Sequence, residues 1–370
     1  MTCRTPSADA TDGSHVPTPD TGLSARRLRP LMAWIVLAAL VALIVLGCAQ
    51  GAQLAGARGG PPGNDSGLFV RVVEHLRDGE GYYSAITREH RLLNYPLRPV
   101  VTVRLPTLAW AMAALPTPSV RALCVQALAA ASFVAWLWRL RPLTRAPVGF
   151  ALATLVLGAA HAPAFISFGY TIHELWTGLL ISLSLALYRP DRWWPSLLIG
   201  LAALALRELA APFLLAMCAL AWRDGRRREA AAWLGGLGLF ALALGVHASA
   251  LAPYVTPADH SSPGWLGLHG WRFVLLQMKW NLLLMTTPDW VAAVLAPLAL
   301  FGLACAKGPL ADRLLLVVGG YVAAFLVVGR PDNAYWGLII APLWPIGLYV
   351  PALVVGDLAR SAAAERLARA

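Results

Sequence analysis

Residues 31–48 read LMAWIVLAALVALIVLGC, an apolar run without a charged residue. A run of this length can cross the hydrocarbon core of a bilayer as a helix. It follows directly on the basic sequence RRLR at 26–29. The run is long for the apolar region of a cleavable signal peptide, and no small-residue cleavage site follows it. We therefore predict a first membrane helix whose N-terminal end lies in the cytoplasm.

The composition of the whole chain indicates the same environment. Of its 370 residues, 58% are hydrophobic and 13% are charged, about half the charged share usual in soluble domains. The mean hydropathy is +0.62. Further apolar runs are continuous rather than alternating, which favours helices over the strands of a membrane β-barrel. We expect an all-α polytopic membrane protein.

Clusters of arginine between the apolar runs predict the topology, because basic loops stay in the cytoplasm. Placing every cluster there gives about ten transmembrane helices with both termini inside. The predicted helices lie at about 31–50, 119–138, 147–165 and 174–189, in a hairpin at 195–222, and at 230–250, 289–305, 311–328 and 335–353. The predicted external segments are 51–117 and 251–288.

Three regions follow from this topology. A disordered cytoplasmic tail at 1–28 precedes the transmembrane domain at 29–355, and a short basic tail at 356–370 follows it. The net charge of +11 is explained by loop arginines that set topology and contact anionic lipid, so we expect no nucleic-acid partner. The five cysteines form no CxxC pair and indicate neither a metal site nor a disulfide framework.

The first external segment contains the sequence NDSGLFVRVVEHLRDGEGYY at 64–83. Apolar residues recur at helical spacing along one face and charged residues along the other, and Gly79 and Gly81 end the pattern. We expect an amphipathic helix on the outer membrane surface, followed by Tyr82 and Tyr83 at the interface. Asp65 is either the N-cap of this helix or a catalytic acid.

This order of elements resembles membrane glycosyltransferases of the GT-C superfamily, among them mannosyltransferases and arabinosyltransferases that use polyprenyl-phosphate sugars. The matching pieces are NDSG at 64–67, RDGEGYY at 77–83 and YPLRP at 95–99. The resemblance implies a lipid-linked sugar as donor, an envelope glycan, lipid or protein as acceptor, and Asp65 as the acid at the reaction centre. Many members carry paired acids, whereas Asp65 lies between Asn64 and Ser66.

Two further candidates lie at the predicted outer ends of helices. His173 and Glu174 begin a helix, where they are either an interfacial pair or a substrate contact and a second catalytic carboxylate. Arg207 lies at the tip of the predicted hairpin, where a charge is costly unless it is paired or functional. It either pairs with Glu208 or contacts the lipid-linked phosphate, and the resemblance favours the phosphate.

The sequence GRPDNAYW at 329–336 joins two predicted helices on the external side. An arginine in a short external loop runs against the distribution of basic residues elsewhere. We therefore predict that Arg330, Asn333 and Tyr335 contact donor or acceptor, although the loop could also be a simple turn. Trp336 is expected to be an interfacial anchor.

A metal site and two different functions are also compatible with the sequence. Asp259, His247 and His260 could bind a divalent metal, but their spacing matches no known motif, so no metal ligand is assigned. The expected partners are a polyprenyl-phosphate-linked sugar and membrane lipids, and the oligomeric state is not predicted. A transporter or flippase of a lipid-linked substrate, or a non-catalytic scaffold, would suit the same composition. The Arg- and Ala-rich sequence is typical of a GC-rich bacterium, which favours the inner membrane.

Overall fold

A computed structural model describes residues 24–25, 30–56, 65–141, 147–166 and 168–351. Within these residues the fold is all-α apart from one pairing of two short strands, as the sequence predicts. The helices are α1 (Pro30–Gly56), α2 (Asp65–Arg77), α3 (Tyr82–Leu92), α4 (Thr107–Ala114), α5 (Pro118–Leu140), α6 (Pro147–His161), α7 (His173–Leu187), α8 (Trp194–Leu206), α9 (Ala211–Arg223), α10 (Arg227–Leu251), α11 (Gly270–Met278), α12 (Leu282–Thr286), α13 (Asp289–Cys305) and α14 (Pro309–Phe325).

Three helical stretches are long and apolar enough to cross a membrane, namely Pro118–Leu140, Pro147–Phe165 and Arg227–Tyr254. A bent pair of helical segments near the C-terminal end would supply a fourth. Shorter apolar helices occupy other predicted positions, at Leu37–Gln50, His173–Leu187, Trp194–Leu206 and Asp289–Cys305. The predicted helical architecture is therefore present, and among the described residues three stretches meet the length and hydropathy of a full span by themselves.

The last predicted helix, at 335–353, is a bent pair of helical segments and not one continuous helix. The chain there forms 3₁₀ segments at Pro331–Ile339 and Trp344–Leu348, bent by 65°. A Cβ on Gly337 would lie 1.9 Å from the carbonyl oxygen of Gln277. This segment therefore crosses α11 with backbone against backbone, and most of it is buried among helices.

The amphipathic helix predicted after the first apolar run is present as α2, but its surroundings differ from the prediction. Leu68, Phe69, Val72 and Val73 are buried, and α2 packs against α3 and α4. Gly79, with φ of +87°, ends the turn after α2, and α3 then folds back. The apolar face therefore packs on protein, because α3 and α4 supply the surface that the prediction assigned to the membrane.

The two predicted external segments pack on each other, and we call residues 65–117 and 252–288 together the loop layer. The amide of Leu97 donates to the carbonyl of His260 at 3.0 Å, and the amide of Ser262 donates to Arg98 at 2.7 Å. Arg91 binds both carboxylate oxygens of Asp259, at 2.7 and 2.9 Å. These contacts join segments that are far apart in sequence into one layer at one end of the helices.

The end of the helices opposite the loop layer carries basic residues, among them Arg223 and Lys307. Ser24–Ala25 pairs antiparallel with Ala306–Lys307, which places the start of the described chain beside the α13–α14 connection. Arg223 contacts Asp312 at 2.7 Å at the same end. The 25 residues of α10 separate this end from the loop layer by about 38 Å at 1.5 Å per residue.

Candidate functional site

A cavity of about 410 Å³ lies where the loop layer covers the ends of α7 and α8 and the Pro331–Ile339 segment. Its polar wall contains His90, Arg104, His173, Glu174, Arg207, Arg330, Asp332, Asn333 and Tyr335. Its apolar and aromatic wall contains Phe69, Ile86, Phe168, Trp265, Trp280 and Trp336. The cavity therefore combines several cationic groups with a large apolar surface.

Six residues that the sequence predicts for the site line this cavity, namely His173, Glu174, Arg207, Arg330, Asn333 and Tyr335. The seventh, Asp65, is the first residue of α2, and its side chain lies outside the described residues. Its neighbour Ser66 lines the cavity, with its Oγ 3.0 Å from the hydroxyl of Thr171. The fold thus gathers distant sequence positions, while their chemical roles stay predictions.

Glu174 is the centre of a buried ion-pair cluster. Its Oε1 atom accepts hydrogen bonds from Arg104 Nη1 at 2.8 Å and from Arg207 Nε at 2.9 Å. The Glu174 side chain is 1% exposed, and that of Arg207 is 7% exposed. Two guanidinium groups on one carboxylate oxygen keep the carboxylate ionised, since proton uptake would remove the charge to which both donate.

Arg207 combines features of both interpretations of its sequence position. Its Nη1 atom pairs with Oε1 of Glu208, and the same side chain lines the cavity beside Glu174. The turn between α8 and α9 makes this geometry, because α8 ends at Leu206 and Arg207 adopts an extended backbone. Arg207 is therefore paired with Glu174 and Glu208 and still lines the cavity with its charged side chain.

Arg104 is the site residue that sequence reasoning missed. Besides its bond to Glu174, its Nη2 atom lies 3.5 Å from the hydroxyl of Tyr335. It stands alone among apolar residues in the sequence VVTVRLPTLAW at 100–110. An isolated arginine in such a stretch was the available signal, because a charge among buried residues needs a partner. Arg104 links the loop layer to α7 and to the 331–339 segment.

The rim of the cavity is formed by a more exposed pair. Arg330 donates to Asp332 from Nη2 at 2.9 Å and to Ser262 Oγ from Nη1 at 3.3 Å. The Asp332 side chain is 64% exposed, so this ion pair is weak. An anion that enters the cavity could compete with Asp332 for Arg330.

Two aromatic contacts complete the walls. The rings of Phe69 and His173 meet edge to face with centroids 4.8 Å apart, which joins α2 to the start of α7. Trp336, expected as an anchor in the membrane interface, is instead 6% exposed and lines the cavity. The interfacial assignment is wrong because the bent 331–339 segment turns this ring into the protein.

The residues considered for a metal site have other partners. The Arg91 guanidinium holds the pKa of the Asp259 carboxyl well below its usual range. His247 lies 3.2 Å from the Tyr83 hydroxyl through Nδ1 and 3.1 Å from the Val103 carbonyl through Nε2. Within the described residues, no group of three or more His, Cys, Asp or Glu side chains could hold a metal ion.

The arrangement suits an anion that carries an apolar substituent. Arg104 and Arg207 offer charge-assisted hydrogen bonds in a poorly solvated site, where such bonds are stronger than in water. The aromatic wall would hold the apolar part. Comparison of the chain with protein-family models, curated proteins and solved structures found no match.

Proposed function

We propose that this chain is a polytopic membrane glycosyltransferase of GT-C type. It transfers a sugar from a polyprenyl-phosphate donor to an envelope glycan, lipid or protein on the external face of a bacterial inner membrane. The observation that carries the proposal is the pair of arginines, Arg104 and Arg207, which share Glu174 inside an apolar-walled cavity. A lipid phosphate requires both a cation for its charge and an apolar surface for its chain.

The surface of the helices supports a membrane location, and the count of about ten crossings rests on the arginine distribution in the sequence. Large apolar side chains are exposed on α1, α6 and α10, among them Trp34, Leu152 and Leu242 at 69%, 60% and 70%. Soluble monomers rarely expose apolar patches of such extent. With the basic clusters at the cytoplasmic end, the loop layer and its cavity face outward and both chain termini lie inside.

The proposed reaction uses the two ends of the donor differently. The acceptor hydroxyl loses its proton to a base as its oxygen attacks the sugar carbon, and Asp65 is the candidate base. The bond between that carbon and the phosphate oxygen breaks, and its electron pair stays on the phosphate. Arg104 and Arg207 stabilise the negative charge that develops there.

In this proposal Glu174 is a positioning residue and not the second catalytic carboxylate that the sequence suggested. A carboxylate that already accepts from Arg104 and Arg207 is a poor proton acceptor, because protonation would cost it both partners. Glu174 therefore positions the two arginines. The sugar or the acceptor contacts the rest of the polar wall, namely Arg330, His173, Asn333 and Tyr335.

The first test measures lipid binding by the full chain in nanodiscs. We expect a polyprenyl phosphate to bind at least about tenfold more tightly than the uncharged polyprenol, since one hydrogen bond to a charged group contributes about 1.5–3 kcal/mol. Arg207→Lys keeps the charge but loses the planar fork and should reduce this preference. Arg228→Gln, an exposed residue at the start of α10, is the control. Equal binding of both lipids contradicts the proposal.

The second test separates an enzyme from its rivals. A panel of polyprenyl-phosphate sugars is incubated with the reconstituted chain, and Asp65→Asn should abolish sugar transfer while lipid binding persists. Movement of labelled donor across proteoliposomes that survives Asp65→Asn would indicate a flippase. A scaffold would show neither transfer nor movement.

A further inference from the structure

His90 is a cavity residue that the ion-pair cluster does not use. It lies on α3, is 6% exposed and lines the cavity. Its Nδ1 atom is 3.0 Å from the carbonyl oxygen of Pro96. A carbonyl oxygen can only accept, so Nδ1 carries a proton. The Nε2 atom has no hydrogen-bond partner among the residues that the structure describes.

The ring is neutral at physiological pH. Burial lowers the pKa of His90 to about 4, against the bond to Pro96 that raises it, and the positive charge of Arg104 lowers it further. A neutral imidazole with its proton on Nδ1 has a lone pair on Nε2. Nε2 is therefore a fixed hydrogen-bond acceptor.

Two other buried histidines, His161 and His247, differ from His90. His161 uses both ring nitrogens, with Leu157 and Ser132 as partners, and His247 uses both with Tyr83 and Val103. Nε2 of His90 makes no such bond among the described residues and is not fully enclosed by protein. The free nitrogen of His90 lies in the wall of a cavity, where a ligand group can supply the missing donor.

The chemistry of the cavity indicates which kind of ligand group could donate a hydrogen bond to Nε2. Arginine side chains only donate hydrogen bonds, so a phosphate, which accepts, suits Arg104 and Arg207 but not Nε2 of His90. In the proposed donor the sugar is bonded directly to the phosphate and brings hydroxyl groups that donate. Arg104 and His90 line the same cavity, so a sugar attached to a phosphate at Arg104 would share that cavity with the His90 ring.

We propose that Nε2 of His90 accepts a hydrogen bond from a hydroxyl group of the donor sugar and so makes the cavity select glycosylated polyprenyl phosphate over the bare lipid phosphate. This inference rests on the proposed function. It assigns sugar recognition to α3 of the loop layer and phosphate recognition to Arg104 and Arg207.

The test uses two variants of His90 that separate the hydrogen bond from Nδ1 to Pro96 from the acceptor at Nε2. His90→Asn places an amide N–H where Nδ1 stood, so the bond to Pro96 can persist while the acceptor at Nε2 is removed. His90→Gln places an amide oxygen near the position of Nε2. Thermal unfolding of each reconstituted variant establishes that it is folded.

The full chain in nanodiscs is titrated with a polyprenyl phosphate and with the same lipid phosphate carrying mannose, glucose or arabinose. We expect His90→Asn to leave binding of the bare lipid phosphate unchanged and to weaken binding of the preferred glycosylated lipid by about 3–10-fold, the loss of one hydrogen bond. His90→Gln should bind the glycosylated lipid more tightly than His90→Asn does, but less tightly than the wild type.

The outcomes distinguish this inference from the proposed function. If the wild type binds bare and glycosylated lipid phosphates equally, or if His90→Asn keeps the preference for the sugar, the role of His90 is overturned while phosphate recognition stands. An equal loss for both lipids would mean that His90 only supports the fold, which also overturns it. Failure to bind any polyprenyl phosphate overturns the proposed function itself.

Discussion

Arg104 Nη1 lies 2.8 Å from Glu174 Oε1, and this contact ties the loop layer to the first turn of α7. Because Arg207 donates to the same oxygen, residues from three separate parts of the sequence meet at one atom. Positioning of this kind fixes the arginines before a ligand enters, which lowers the cost of ordering them on binding.

The charge of Glu174 is expected to stabilise the fold as well as the site. Glu174→Gln keeps the size of the side chain but removes the charge that Arg104 and Arg207 share. The free energy of unfolding should fall by about 3 kcal/mol, the low end for a broken buried pair, because Arg104 is only half-buried and Arg207 keeps Glu208. Asp332→Asn at the exposed rim should change it by less than about 1 kcal/mol. Thermal unfolding in detergent measures both. Similar values for the two variants would mean that the cluster around Glu174 is not held as described.

Arg330 and Arg104 should differ in how salt affects their contribution to lipid-phosphate binding. Arg330 lies at the rim with an exposed partner, so the loss on Arg330→Gln should shrink as ionic strength rises from about 0.05 to about 0.5 M. The loss on Arg104→Gln should persist, because water and ions screen a partly buried pair less. Titrations of the reconstituted chain with a polyprenyl phosphate compare the two. If salt reduced the two losses of binding equally, Arg104 would be as accessible to ions as Arg330, which would contradict the prediction.

Gly337 should be intolerant of a side chain. A Cβ there would lie 1.9 Å from the carbonyl oxygen of Gln277, whereas one on Gly319 of α14 meets no atom within 4 Å. We expect Gly337→Ala to destabilise the protein strongly, because backbone groups on both sides must move. Gly319→Ala should be neutral or stabilising by up to about 1 kcal/mol, as alanine favours helix. Melting temperatures in detergent distinguish the pair, and a neutral Gly337→Ala would contradict the close crossing.

Some residues of the site can be recognised from the pattern of apolar and charged residues in the sequence, and others cannot. Arg207 and Glu174 were identifiable because a charge at the end of an apolar helix is costly and conspicuous. Arg104 stands alone in an apolar stretch, which indicates that it needs a partner, but only the fold shows that the partner is Glu174. The apolar pattern at 335–353 did not reveal the 65° bend there, because hydropathy records apolar character but not whether the surroundings are lipid or protein. The same limit applies to the apolar face of α2.

The contact between Arg91 and Asp259 should make the loop layer sensitive to acid. The hydrogen bond from Arg91 lowers the pKa of Asp259 below its value in an unfolded chain. The stabilisation is therefore fully present above about pH 4, the unfolded pKa, and is lost as the pH falls through the folded value. Hydrogen exchange of residues 252–262 should accelerate as the pH is lowered below about 4, after correction for intrinsic rates.

Asp259→Asn should show the fast exchange already at neutral pH, while exchange in α5 stays unchanged. Arg91→Gln combined with Asp259→Asn separates the pair from its surroundings, because two changes that break one contact cost less together than their sum. If the two effects simply add, the ion pair does not join the two segments, and the backbone bonds from Leu97 and Ser262 hold the loop layer alone.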